Sequence, residues 1–281
     1  MPRKHWPKIT IVTPSYNQAQ FLEETIRSVL LQGYPNLEYI IMDGGSTDQS
    51  VEIIKNYEPW LTFWVSEKDN GQADAIYRGF ERAAGELIGW LNSDDLLLPG
   101  ALFAFADYYL ENPGTELMVG GCVLIDEGNR VLRGKRGFPR FSFGPAMKHN
   151  SLLWAAFDYH QPATLWRRDV FFEVGGFDRG LFFCFDYDLY LKLTKRRSGE
   201  SIKRMVAAFR IHAESKTSLH IAVGLKEHEM VRQKNVRTSR DIKLQNVFSF
   251  IYRNIAVIKW RISMLLYFVG IKKCRELELF D

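Results

Sequence analysis

The sequence predicts an α/β protein built on a mostly parallel sheet flanked by helices, with a helical C-terminal extension. Three observations lead there. Strand and helix patterns alternate through the first hundred residues, the links between them are short, and a polar cluster follows each strand pattern. Alternation of this kind argues for a parallel sheet covered on both faces.

Each element has its own signal. Lys8–Thr13 is a β-rich run that Pro14 is expected to stop. Leu22, Ile26, Val29 and Leu30 recur at helical spacing, and Gly33 and Pro35 end that helix. Leu37–Met42 is a second strand. Ser46 with Gln49 reads as a capping box opening a helix to about Asn56. Leu61–Val65 is a third strand. Ala73, Ile76, Tyr77, Phe80 and Ala84 mark a third helix, closed by Gly85. Glu86–Leu91 is a fourth strand, and Pro99 suits the first turn of a fourth helix.

The second half is less regular. Leu117–Ile125 and Arg130–Arg133 pair as a predicted hairpin across Asp126–Asn129. Residues 134–160, rich in Gly, Pro and aromatics, read as a long loop of the kind that carries function. A strand is expected at Thr164–Trp166, a helix from Asp186 to about Arg197, and a strand over Met205–Ile211. From about Ile221 onward the pattern is helical. Phe248, Ile251, Ile255, Ile258, Ile262, Leu265 and Val269 form one apolar stripe. Three uses for it stay open: packing on the same chain, an interfacial membrane helix, or a dimer seam.

Composition removes several classes. Apolar residues make up 46% and charged residues 25%, which excludes disordered and low-complexity chains. No apolar run reaches the roughly 18–20 residues of a membrane-spanning helix, and no cleavage site follows the basic N-terminus. Cys122, Cys184 and Cys274 fit no disulfide framework and no zinc spacing, so the cytoplasm is the expected compartment. The net charge of +4 is uneven, because residues 226–281 carry twelve Lys/Arg against six Asp/Glu. A basic tail suits an anionic partner. The charge alone would fit a membrane surface, a nucleic acid or an ordinary solvated helix face.

In an open parallel sheet, ligands bind beyond the carboxyl ends of the strands. Four such ends are polar here: TPSYN at 13–17, DGGSTD at 43–48, SEKDNGQ at 66–72 and NSDD at 92–95. No GxGxxG or GxxxxGK[ST] loop accompanies them. Acid-lined loops repel a polyphosphate in a low dielectric. A divalent cation resolves that conflict, since Mg²⁺ or Mn²⁺ takes carboxylate, water and phosphate oxygens together. Strand-end acids thus predict a metal–diphosphate ligand. Taken alone, Asp94-Asp95 also reads as the start of a turn before Pro99.

These motifs, in this order, resemble glycosyltransferase family 2. The resemblance extends through EKDNGQADAIYRGF at 67–80, WLNSDD at 90–95, GGFD at 175–178, FDYDLYLKL at 185–193 and RIHAESKT at 210–217, covering roughly residues 8–217. It implies a GT-A, Rossmann-like fold, a nucleotide-diphosphate sugar donor (a UDP-sugar by expectation), Mn²⁺ or Mg²⁺, and inversion at the anomeric carbon. It also implies a glycosyltransferase domain over residues 1–220, with a nucleotide-binding half at about 1–115 and an acceptor-binding half at about 116–220. Residues 221–281 form the helical extension.

Carried over position by position, the resemblance implies that Thr13, Pro14, Ser15 and Tyr16 line the base and ribose, and that Asp43 bonds the base edge. Asp69, Gly71 and Gln72 match a stretch that walls the nucleotide site. Asn92, Ser93 and Asp94 stand at the family's DxD motif. The first acid is Asn here, so Asp94 is the expected metal ligand, with Asp95 in support. His212 matches a His that completes the metal or touches the diphosphate, and Lys216 is within reach of a phosphate oxygen. Asp186 matches the catalytic base. The residue before it is Phe185, where many members have Glu, a change that raises the pKa of Asp186. His160, Gln161 and Trp154 fall on the acceptor side.

The expected acceptor is a saccharide or lipid-linked saccharide. The basic, apolar C-terminal segment favours assembly of a surface polysaccharide or lipopolysaccharide at the inner membrane face, without a nucleic-acid partner. Two rivals stand beside this reading: a catalytically silent sugar-nucleotide binder, and a nucleotidyltransferase.

Overall fold

The structure is a computed structural model that describes residues 5–132, 141–143 and 160–235. Four parallel strands open it: β1 (Ile9–Ser15), β2 (Leu37–Asp43), β3 (Phe63–Ser66) and β4 (Leu87–Trp90), side by side in the order β3-β2-β1-β4. Helices α1 (Ala19–Leu30), α2 (Ser50–Tyr57) and α3 (Gln72–Arg82) form the crossovers. The chain adds strands in one direction to β3 and then returns to place β4 on the far side of β1. The strand order therefore reverses between β1 and β4, where a crevice opens at the carboxyl ends.

Among the described residues the sheet has nine strands. Beyond β4 lie β5 (Leu96–Leu97), β6 (Leu117–Ile125), β7 (Phe141–Phe143), β8 (Thr164–Arg167) and β9 (Glu200–Arg210). Strand β8 runs antiparallel to β4 and β6, whereas β9 is parallel to β6 and carries β5 on its outer edge. Helix α4 (Ala101–Glu111) follows β5. Helices α5 (Arg168–Glu173) and α6 (Phe185–Arg196) follow β8, and α7 (Lys216–Leu219) and α8 (Ile221–Asn235) follow β9.

Both faces of the sheet are buried. On one face, Leu22, Ile26 and Val29 of α1 and Leu102 and Phe105 of α4 cover Ile9, Ile11 and Ile41. On the other, Ile76 and Phe80 of α3 cover Val12 and Met42. Gly79 lets α3 approach closely, because a Cβ there would meet Val12 Cγ1 at 2.5 Å. Phe80, Trp90, Trp166, Phe171, Phe177 and Phe185 form one aromatic cluster, with many ring pairs edge-on and centroids 5–6 Å apart. The cluster braces the first residue of α6 against the end of β4.

Several elements differ from the sequence expectation, each for a local reason. Strand β1 runs through Pro14 to Ser15. Val12 accepts from Leu91 on the β4 side and Ser15 accepts from Gly44 on the β2 side. Side alternation then turns the Pro14 nitrogen toward β4, which has already ended, so no ladder bond is lost. The Ser46–Gln49 capping box does not form. The Ser46 hydroxyl donates to Asp43 Oδ1 at 2.6 Å and accepts from the Asn17 amide at 2.8 Å. Helix α2 starts four residues later, where Asp48 Oδ1 accepts from the Ser50 amide at 3.0 Å. Pro99 lies outside α4, because Gly100 at φ +73° turns the chain before Ala101. The predicted hairpin reduces to a bridge between Ile125 and Val131.

Trp154, most of the 134–160 loop and the 248–269 stripe lie outside the described residues. The described start of the C-terminal segment, α8, packs on α6. Val231 is buried and the Tyr187 and His228 rings stack at 4.3 Å. No helix among the described residues is long and apolar enough to cross a membrane.

Candidate active site

The reversal point opens into a cleft of about 580 Å³. Its floor comes from the polar ends of β1 and β4. Pro14, Ser15 and Tyr16 line one side, and Asn92, Ser93 and Asp94 line the next. Asp69, Gly71 and Gln72, ahead of α3, form a third wall. Gln161 and Asp186 face them from the second half of the chain. With Lys216, which also lines it, twelve residues expected from sequence share one cavity, with Asp94 and Asp186 on different walls of it.

Thr13, Asp43, Asp95, His160 and His212 do not line the cleft. Thr13 is buried, its hydroxyl 3.0 Å from the Tyr39 hydroxyl. Asp43 spends its carboxylate on its own loop and on the end of β3, accepting from the Ser46 and Ser66 hydroxyls and from the amides of Gly45 and Ser46. Asp95 is buried and accepts from the Arg210 amide at 2.9 Å. Burial, with Asp94 beside it, pushes its carboxyl well above the usual range. The His160 ring packs 5.5 Å from Phe209, behind the wall.

Asp94 keeps some exposure, and its Oδ2 lies 3.1 Å from Nε2 of the buried His212. Two ligand atoms at right angles around a small divalent ion, each roughly 2.1 Å from it, lie about 3 Å apart. The pair fits such an ion. A carboxylate oxygen with an imidazole suits Mn²⁺, and a carboxylate with waters and phosphate oxygens suits Mg²⁺. Among the described residues no group of three or more His, Cys, Asp or Glu converges. The protein would thus hold two positions and leave the rest to ligand and water.

Arg210, which the sequence analysis did not single out, fixes this wall. Its fully buried guanidinium donates to the Asp94 carbonyl at 2.8 Å, to Asn129 Oδ1 at 2.8 Å and to Glu24 Oε2 at 2.7 Å. These partners lie 81 to 186 residues away in sequence, so no local pattern announces them.

A chain of side-chain amides crosses the floor. Lys216 Nζ donates to Gln72 Oε1 at 2.9 Å, and Gln72 Nε2 donates to Asn92 Oδ1 at 2.7 Å. Asn92 Nδ2 donates to Asp95 Oδ2 at 3.3 Å and lies 3.5 Å from Gln161 Oε1, and Gln161 Nε2 donates to the Trp90 carbonyl at 2.7 Å. The network accounts for Asn92. An acid there would set a third carboxylate against Asp94 and Asp95, with no N–H for Asp95 Oδ2.

Asp186 stands at the first turn of α6, its Oδ1 accepting from the Tyr187 amide at 2.7 Å. Burial raises its pKa to about 6, against the opposing pull of that amide and of Lys216. Lys216 is lowered to about 8, also by burial, while Asp186 and Glu227 oppose the shift. Its ammonium sits 4.2 Å from the Phe182 ring centre. Asp188 is occupied elsewhere, accepting from the Asp178 amide at 2.9 Å and pairing with Lys192 at 2.7 Å. The described aromatic wall is Phe182, Phe183 and Phe185. The aromatic run ahead of Asp186 is the signal that could have pointed to it.

The family model described as Glycosyl transferase family 2 matches residues 10–175. The chain belongs to this family. A glycosyltransferase of Rickettsia conorii, itself uncharacterized, is 29% identical over 73% of the chain and 34% of its own length. Bacillus subtilis TuaG, whose name provisionally assigns it to teichuronic acid biosynthesis, is 31% identical over 43% of the chain and 50% of its own length. The matched part thus spans about a third to a half of these two family members. A Pyrobaculum calidifontis mannosyltransferase in complex with GDP-Man and Mn²⁺ superposes with a TM-score of 0.63 at 20% identity, covering 87% of the chain and 69% of that protein. S. aureus TarS 1–349 in complex with UDP gives 0.62 at 14% identity, over 86% and 70%. The shared architecture is a GT-A-like fold.

Proposed function

We propose that this family 2 protein is an inverting, divalent-metal-dependent glycosyltransferase. It moves a sugar from a nucleotide-diphosphate donor to an acceptor hydroxyl in the assembly of a cell-surface polysaccharide. One observation carries the reading: Asp94, backed at 3.1 Å by the buried His212, and the raised carboxyl of Asp186 face one cleft from different elements.

The nucleotide lies along Pro14–Tyr16 and the Asp69–Gln72 wall, with its diphosphate toward Asp94. A divalent ion held by Asp94 and His212 would supply Lewis-acid neutralisation of the charge growing on the leaving diphosphate. Lys216 adds a positive charge on the opposite side, and Phe182 and Phe183, beside Asp186, offer apolar faces to the acceptor saccharide. Asp186 accepts the proton of the attacking hydroxyl as the new bond forms and the old sugar–oxygen bond breaks. The attack comes from the face opposite the leaving group, so the anomeric configuration inverts. The acceptor is a saccharide or a lipid-linked saccharide, and the basic, apolar C-terminal segment supports peripheral contact with the inner membrane face.

Product analysis tests the reaction class. With nucleotide sugars, Mn²⁺ and candidate acceptors, ³¹P NMR is expected to show free nucleoside diphosphate. Pyrophosphate or nucleoside monophosphate as the primary product contradicts the reading.

The pH dependence follows from two groups. Asp186 must be ionised to take a proton, so the rate falls as pH drops through about 6. Lys216 must be charged to meet a phosphate, so the rate falls as pH rises through about 8. The expected plot of kcat/KM against pH is a bell between these values. A profile flat from about pH 5 to 9 contradicts both assignments.

A further inference from the structure

The turn that delivers Asp186 is held from outside the cleft. Glu227, on α8, accepts from three consecutive backbone amides: Oε1 from Phe182 at 2.9 Å, and Oε2 from Phe183 at 2.7 Å and Cys184 at 3.0 Å. Successive amides aimed at one anion form a concave nest, and a carboxylate that fills it fixes the backbone there. The residues so fixed are Phe182, Phe183 and, directly after Cys184, Phe185 and Asp186, all at the cleft except Cys184.

A second contact supports the same docking. Gly224 sits inside α8, where glycine is a poor helix former. A Cβ there would lie 2.8 Å from the Phe183 ring. The Cys184 thiol donates to the Gly224 carbonyl at 3.3 Å. The helix backbone thus lies directly against the turn, one helical turn from the carboxylate that clamps it.

The geometry points to Glu227 as a positioning residue for Asp186, making α8 part of the working site rather than an appendage to it. The inference rests on the proposed role of Asp186 as general base. Glu227 meets no substrate. It sets the path of residues 182–186, and so the place from which the Asp186 carboxylate meets the acceptor hydroxyl. The donor wall, formed by Pro14–Tyr16, Gln72 and Asp94, does not depend on it.

The test is a double-mutant cycle on nucleoside diphosphate release. Glu227→Gln keeps the shape but turns an N–H toward at least one of the three amides. It is expected to lower kcat about 10- to 100-fold, the scale of a misplaced reacting group. Donor affinity should stay within about two-fold of wild type, at one donor per chain. In the Asp186→Asn background the same change should lower the residual rate by less than about two-fold, because its effect passes through the missing carboxylate. Glu227→Asp, which keeps the charge, should recover part of the loss. If Glu227→Gln fails to fold, Gly224→Ala takes its place in the cycle, with the same expectations for rate and affinity. A Glu227→Gln rate near that of wild type overturns the inference. So does an equal loss in both backgrounds, or a fall in donor stoichiometry that matches the fall in rate. Full activity of Asp186→Asn alone overturns the general-base reading first, and the inference with it.

Discussion

Asp186→Asn is expected to lower kcat about 10²- to 10⁴-fold while leaving donor affinity nearly unchanged. The range is that of a lost general base, and corresponds to about 3–5 kcal/mol of transition-state stabilisation. The substitution is nearly isosteric. An amide oxygen can still accept from the Tyr187 amide, so the first turn of α6 keeps its cap. What is lost is the ability to take a proton near neutral pH, which burial confers on this carboxyl by raising it to about 6. The acid limb of the pH profile should disappear along with the rate. Rate measurements paired with donor titration decide the matter. If affinity falls as far as the rate, Asp186 is a binding group and the base lies elsewhere.

Asp94→Asn is expected to act on the opposite side of the reaction. It removes the negative charge beside His212 Nε2 and keeps the size of the side chain. The half-saturating Mn²⁺ concentration should rise more than about tenfold. The rate at limiting ion should fall about 10²-fold or more, as expected when stabilisation of a leaving group's charge is lost. The fold should survive, because Arg210 contacts the Asp94 carbonyl rather than its carboxylate. A variant with unchanged ion dependence would show that Asp94 has no part in ion binding. Neighbouring Asp95 makes a useful contrast. It is buried and bonded to the β9 backbone, so its replacement should cost stability first.

The parallel half of the fold was legible because each strand carries a short run rich in apolar and aromatic residues and each helix a clear apolar stripe. The two-residue strand β5 left no pattern of its own, since its position is set by pairing with β9. Residues 200–204 at the start of β9 alternate too weakly to be read as a strand, and pairing with β6 decides them. At the site, motifs at strand ends located the cleft, but burial decided which members face it. Thr13 and Asp43 belong to the same motifs as Pro14 and Gly44, yet their side chains turn into the core and into their own loop. Arg210 and Glu227 were silent because their meaning lies in distant partners. A buried arginine that reaches Glu24, or a helical glutamate that caps residues 182–184, looks in sequence like any exposed charge.

The proposed division of labour across one cleft has Asp94 serving the diphosphate and Asp186 the acceptor. The most direct test is the rise in melting temperature caused by a nucleotide-sugar donor, followed as Mn²⁺ is titrated, in wild type, Asp94→Asn and Asp186→Asn. A ligand that binds only the folded state must raise that temperature. The expected result is an ion-dependent rise in wild type and in Asp186→Asn, and little or none in Asp94→Asn at the same ion concentrations. An equal rise in all three proteins, or one independent of the ion, would contradict it.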